Sequence, residues 1–190
     1  MMQLLQARLR ARTALCARSS PGGPNAANPH ASPSERKLQA GDLLVVDWGA
    51  AYDGYISDLT RTFAVGEVDA ECRKIHKIVQ EANAAGRAAS KPGVPCANVD
   101  IAARTVIEKS GYGKYFTHRT GHGIGMEGHE DPYMRGDNMQ TARSPAWRTP
   151  SNRASTCRAA TASASKTTWS SPALARMCLS DMPREIRVVG

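Results

Sequence analysis

Residues 43–64, LLVVDWGAAYDGYISDLTRTFA, constrain the fold of this 190-residue chain more than any other stretch. Two apolar, β-branched runs flank Ala51-Tyr52-Asp53-Gly54, which reads as the turn of a β-hairpin. With the hairpin symmetric about the Tyr52–Asp53 bond, Asp47 and Asp58 lie directly opposite each other on one face, their Cβ atoms about 4.5–5.5 Å apart. Two bare carboxylates that close repel and raise each other's pKa. Hard divalent cations bound through oxygen relieve that repulsion. Taken alone, the two acids read equally well as turn-flanking or exposed residues. Asp47, however, follows Leu43-Leu44-Val45-Val46, a run with the pattern of a buried strand, where an unpaired carboxylate is costly.

The length fits one domain of ordinary size. No apolar run approaches the roughly 18–20 residues needed to span a membrane. Five cysteines (Cys16, Cys72, Cys96, Cys157, Cys178) form no CxxC pair, their number is odd, and no secretory apolar region precedes them. A reducing compartment, the cytoplasm, is therefore expected rather than a disulfide framework. The net charge of +8 suggests nucleic acid, but its distribution does not. Residues 1–22 hold four arginines and residues 141–178 hold five arginines and one lysine, with no acid in either, so the remainder of the chain is −2. The basicity belongs to two unusual segments, and neither nucleic acid nor membrane is expected as a partner.

The first of these segments, residues 1–22, reads equally as a transit peptide or as an out-of-frame start. Residues 23–30 are loop-like, and His30 on its own is an exposed loop histidine. Beyond the hairpin, Asp69 is placed to cap a helix over about 69–90, with Ile75, Ile78, Val79 and Ala82 as its apolar stripe. Pro92-Gly93 stops it. A second helix over about 97–110 turns Val99, Ala103, Val106 and Ile107 inward and stops at Gly111. Both helices read as cover for the sheet, without chemistry.

The next run, YFTHRTGHGIGMEGHEDP, places His118, His122 and His129 within twelve residues of a chain that has five histidines. Gly121, Gly123 and Gly125 discourage a helix and permit close backbone approach. On an extended segment His118 and His122 share a face. One histidine is usually structural, but this cluster, beside a facing aspartate pair, points to a metal or catalytic site.

Four strings, VVDWGA, GYISDLTRTF, HRTGHGIGMEGHEDPY and the upstream GPNAANPHA, resemble the pita-bread metallopeptidases of family M24. They are closest to the proline-peptidase branch: aminopeptidase P, Xaa-Pro dipeptidase and the related creatinase. The resemblance covers about residues 22–140 and 179–190. Methionine aminopeptidases share the fold and a similar glycine-histidine run, but SDLTRTF fits the proline branch better. The resemblance implies an α+β pita-bread fold, a curved antiparallel sheet covered by helices. It also implies hydrolysis of Xaa-Pro bonds in proline-containing peptides, two divalent ions (manganese, cobalt or zinc), and a homodimer in intact relatives. Asp47, Asp58 and His122 match metal ligands. His118 and His129 match catalytic histidines beside the metals, and His30 matches a substrate-binding histidine. Two metals that clamp a bridging hydroxide and polarise the scissile carbonyl suit such a ligand set.

One departure is large. The family completes its site with two glutamates, in segments like TIEPGIY and GVRIED. Residues 141–178 contain no acid, no Gly, Val, Ile, Phe or Tyr, and one Leu, a composition expected to build no core strand. Codons for Ser144–Arg158, read from the last base of each preceding codon, permit PGMAYTIEPGIYLP. The same shift over Ala160–Pro172 permits YGVRIEDDVVVT. The missing glutamates then lie under Asn152 and Lys166. The chain accordingly divides into an atypical start (1–22), a metallopeptidase catalytic domain (23–140), an out-of-frame segment (141–178) and the domain's C-terminal end (179–190). The fold is expected to be incomplete near its C-terminus, and the chain as it stands to bind metal weakly. An inactive remnant or binding module is the alternative function. A methionine aminopeptidase or creatinase-like hydrolase is another.

Re-reading the coding DNA across codons 138–182 is expected to reveal one base gained near codon 141 and a second change restoring the frame near 178. DNA that encodes the chain unchanged would favour the remnant.

Overall fold

A computed structural model of the chain describes residues 13–19, 23–27, 35–141, 148–151, 156–157, 161–162, 167–170, 177–178 and 183–190. Strand β1 (Thr13–Ser19) precedes the expected hairpin, which consists of β2 (Leu43–Tyr52), β3 (Tyr55–Ile56) and β4 (Leu59–Val65). The hairpin turns at Asp53-Gly54, whose φ angles are 49° and 83°. Two successive positive φ values make the two-residue type I′ turn that Asp-Gly favours, because its twist matches that of the strands. The turn is thus centred one bond later than the sequence symmetry suggested. Its register pairs Tyr52 with Tyr55, Trp48 with Leu59 and Asp47 with Thr60. Direct opposition of Asp47 and Asp58 is therefore corrected: a one-bond slip of the turn moves every cross-strand partner by two residues. An even slip preserves the alternation of faces.

Helix α1 (Ala70–Ala89) and helix α2 (Cys96–Lys109) follow. The Asp69 carboxylate accepts the Cys72 N–H at 2.7 Å, closing the start of α1. Ile75, Ile78, Val79 and Ala82 are all buried, as their helical spacing requires. On α2, Val99, Ala103 and Ile107 are buried and Val106 is half-buried. This helix ends in a Schellman arrangement: the Tyr112 N–H donates to the Ile107 carbonyl and the Gly111 N–H to that of Glu108. The two helices pack together through Ile78, Ala82, Ala103, Ile107 and Phe116.

Strand β5 (Gly121–Gly123), β6 (Glu130–Met134), β7 (Arg148–Ser151), β8 (Thr156–Cys157), β9 (Thr161–Ala162), β10 (Thr167–Ser170), β11 (Met177–Cys178) and β12 (Arg187–Val189) complete the described strands. The first sheet has the order β1-β2-β4-β12, with β3 on β2. The second has the order β11-β10-β7-β5-β6, and β8 pairs with β9 alone. Leu43, Ala64, Val68 and Cys72 join the first sheet to α1, and Cys96, Val99 and Met134 join α2 to the second. One expectation is corrected. The sheet is not wholly antiparallel, because β12 runs parallel to β4; the long connection between them leaves room for a crossover. Residues 141–178, expected to build no core strand, contribute the backbones of β7 to β11. Strand pairing is made by backbone N–H and C=O groups, and the threonines and Trp169 there are good strand formers. Among the described residues no helix is long and apolar enough to cross a membrane.

The C-terminal segment is held on the first sheet and α1. The Arg61 guanidinium donates to the Pro183 carbonyl at 2.7 Å, the Gly66 N–H to that of Val189 at 3.0 Å, and the His76 Nε2 lies 2.9 Å from the Arg184 carbonyl. Burial pushes the His76 pKa below its ordinary 6.5, outweighing the Arg184 carbonyl and the Glu185 carboxylate, which favour the charged ring. The unfolded chain therefore takes up this proton first. Stability should be full above about pH 6.5 and should decline as pH falls toward the folded value. Urea melts between about pH 5.5 and 7.5 should show a shallower pH slope for His76→Gln than for the wild type; equal slopes would remove His76 as the cause.

Candidate metal and catalytic site

Asp58 lies just past the turn, where residues 57 and 58 join β3 to β4 without a change of register. Ser57 turns back onto β2: its N–H donates to the Ala50 carbonyl at 2.9 Å, and its hydroxyl accepts the Ala50 N–H at 3.0 Å. Opposite them, a Cβ at Gly49 would lie 2.0 Å from the Ser57 carbonyl oxygen, so no other residue fits there. The Ile56 N–H donates to the Gly125 carbonyl at 2.8 Å, tying the hairpin to the glycine-histidine run.

The outcome is a contact between two of the predicted residues. Asp58 Oδ2 lies 3.5 Å from His122 Nε2, and both side chains are largely shielded from solvent. The other ring nitrogen, Nδ1, lies 2.8 Å from the Gly123 carbonyl, which can only accept. Nδ1 therefore donates, and in the neutral ring Nε2 presents its lone pair toward Asp58. His129 stacks on His122 with ring centroids 4.1 Å apart. Asp47 is buried on β2, and its Oδ1 accepts the Thr60 hydroxyl at 2.6 Å.

His118 lies outside the strand that carries His122. The extended segment expected to carry it together with His122 covers only Gly121–Gly123. His118 precedes it in a bend, with Nδ1 3.1 Å from the Arg119 carbonyl. The cause is α2, which binds the backbone of this bend through side chains: the Arg104 guanidinium donates to the Phe116 and His118 carbonyls. His30, Asn152 and Lys166 lie outside the described residues. Sequence reading passed over Thr60, Gly49 and Arg104. Of these, Arg104 alone left a local trace, an Asp-Arg pair at i,i+4 on α2.

With this geometry in place, comparison with known proteins is informative. A model of metallopeptidase family M24 matches residues 4–148, including much of the Arg-rich start. The chain belongs to metallopeptidase family M24. The protein of Mycobacterium bovis named "Probable dipeptidase PepE" is 47% identical over 113 residues, covering 59% of this M24 chain and 30% of that relative. Among solved structures, the prolidase of Thermococcus sibiricus superimposes with a TM-score of 0.93 at 32% identity, covering 99% of this chain and 51% of that one. The X-Pro aminopeptidase of Thermotoga maritima gives 0.90 at 29% identity, covering 99% and 54%. The M24 chain thus has the pita-bread fold expected of it, and it spans about half the length of these solved relatives or less than a third of the curated one.

Whether its residues suit two metal ions can be judged from the donors. Asp58 and His122, 3.5 Å apart, stand as far from each other as two ligands each about 2.0–2.2 Å from one ion. The Asp47 carboxylate is engaged by Thr60, and among the described residues no three His, Cys, Asp or Glu side chains are close enough to share an ion. These residues as they stand do not fit a two-metal centre. The Thr60 hydroxyl is a close hydrogen-bond partner of the buried Asp47 carboxylate. Thr60→Val, similar in shape but lacking the donor, should cost about 1.5–3 kcal/mol of stability in urea melts; a loss near zero would mean that Asp47 finds another partner.

Proposed function

We propose that this chain is the catalytic part of a metal-dependent peptidase that hydrolyses Xaa-Pro bonds, as Xaa-Pro dipeptidase or aminopeptidase P, with activity impaired in the sequence as it stands. The observation that supports this reading is the convergence of Asp58, His122 and His129 where the hairpin meets the glycine-histidine run. That convergence occurs in an M24 chain whose solved neighbours are named prolidase and X-Pro aminopeptidase. In this reading Asp47, Asp58 and His122 are the metal ligands this chain retains. His118 and His129 are the groups that face the substrate and move protons, since an imidazole titrates near neutral pH. His30 contacts the substrate. Manganese, cobalt or zinc would be the metal, the substrates proline-containing peptides, the assembly a homodimer and the compartment the cytoplasm.

The impairment follows from charge. Residues 141–178 hold no acid, so they supply neither of the two carboxylates still needed nor a base for the attacking water. The same absence favours an inactive remnant as the second reading. A chain with residues 141–178 replaced by the shifted frame should cleave Xaa-Pro dipeptides or longer Xaa-Pro peptides with manganese or cobalt present and stop when the metal is chelated. The unaltered chain should do neither. Cleavage by the restored chain of Met-initiated peptides or creatine, with Xaa-Pro substrates untouched, would replace this reading with a methionine aminopeptidase or creatinase-like one. No cleavage of any of them would leave the remnant.

A further inference from the structure

Helix α2 makes two buried polar connections that a covering helix does not need. Asp100 is 1% exposed, a rare situation for a carboxylate, and it lies one helical turn before Arg104. Arg104 Nε donates to Asp100 Oδ2 at 3.0 Å, and the guanidinium sits 4.4 Å from the Phe116 ring centroid. Its other nitrogens reach further acceptors. One donates to the Phe116 carbonyl at 2.8 Å and another to the His118 carbonyl at 3.1 Å. Asp100 Oδ1 in turn accepts the Thr120 N–H at 3.0 Å. Three alternate backbone groups, at 116, 118 and 120, are thus held by two side chains one turn apart on a single helix. His118 is the central residue of the three, and His122 follows two residues beyond.

We propose that the Asp100–Arg104 pair is a positioning device for His118, setting where its imidazole stands relative to His122. The proposal rests on the peptidase reading only for the role of His118, not for the clamp itself. The chemistry requires arginine. Its rigid planar fork can serve a carboxylate and two carbonyls at once, whereas a lysine ammonium is a point donor on a flexible stem. Asp100 orients that fork and covers the Thr120 N–H, which would otherwise rely on the Met134 carbonyl at 3.1 Å. A purely structural ion pair would be indifferent to which backbone groups it met. This one meets the groups on both sides of a candidate catalytic histidine.

The test uses the full chain and nitrogen-15 NMR of the histidine rings, with His118 assigned from the spectrum of His118→Asn. In Arg104→Lys, the His118 ring resonances should move, while the Thr120 amide, held by Asp100 and the Met134 carbonyl, should stay protected. Ala103→Gly, which loosens the same helix without touching the clamp, provides the comparison for general destabilisation. Asp100→Asn keeps an acceptor for Thr120 but loses the charge that orients Arg104. It should shift His118 while leaving the Thr120 amide protected, and it provides the readout if Arg104→Lys does not fold. His118 resonances unchanged in the folded clamp variants, or moved equally by Ala103→Gly, would overturn the proposal. Peptide cleavage plays no part in the readout, so failure of the clamp and failure of the peptidase reading are separately visible.

Discussion

Two consecutive positive φ angles, at Asp53 and Gly54, set the register on which the rest of the site depends. The turn they form leaves no choice of partner along β2 and β4. Asp47 must face Thr60, and Ser57 and Asp58 stand opposite Ala50 and Gly49 in the same register. The hairpin bonds the glycine-histidine run through Ile56 and Gly125, and Asp58 lies within reach of His122. The turn and the site are thus successive consequences of one backbone preference, since a two-residue loop with right-handed strand twist needs residues that tolerate φ > 0.

The helices contribute more than apolar cover. Their buried stripes account for the packing of α1 on the first sheet and of α2 on α1 and the second sheet. The polar contacts of Asp100 and Arg104 lie within that packing and connect the helix layer to the bend that carries His118. Inside a protein such bonds gain strength from the low dielectric, and each group left without a partner becomes costly. The arrangement therefore persists as a unit.

Family membership and the composition of residues 141–178 pull in different directions. The M24 match and the superposition on prolidase and X-Pro aminopeptidase concern backbone and the motifs around Asp47, Asp58 and His122. Backbone pairing can bring β7, β10 and β11 into the second sheet without any carboxylate side chain. Metal chemistry cannot be supplied that way, because it needs carboxylates at particular positions, and that segment contains none. A shared fold does not by itself supply the chemistry of a site.

Sequence alone determined those features that rest on local periodicity and residue type. The two helices and their inward stripes, the Asp69 cap, the hairpin itself and the histidine-rich run were all legible, because spacing along one helix or strand dictates which side chains share a face. So were the motifs that point to the family. What only the tertiary structure decided was where separate segments meet: Thr60 on Asp47, Asp58 on His122, His129 stacked on His122, and Arg104 around the backbone of His118. Those contacts join residues far apart in the chain, or hinge on the single bond about which a turn is centred. Neither is encoded in the period of a helix or strand, and both are resolved only when the buried backbone and polar groups must all find partners at once.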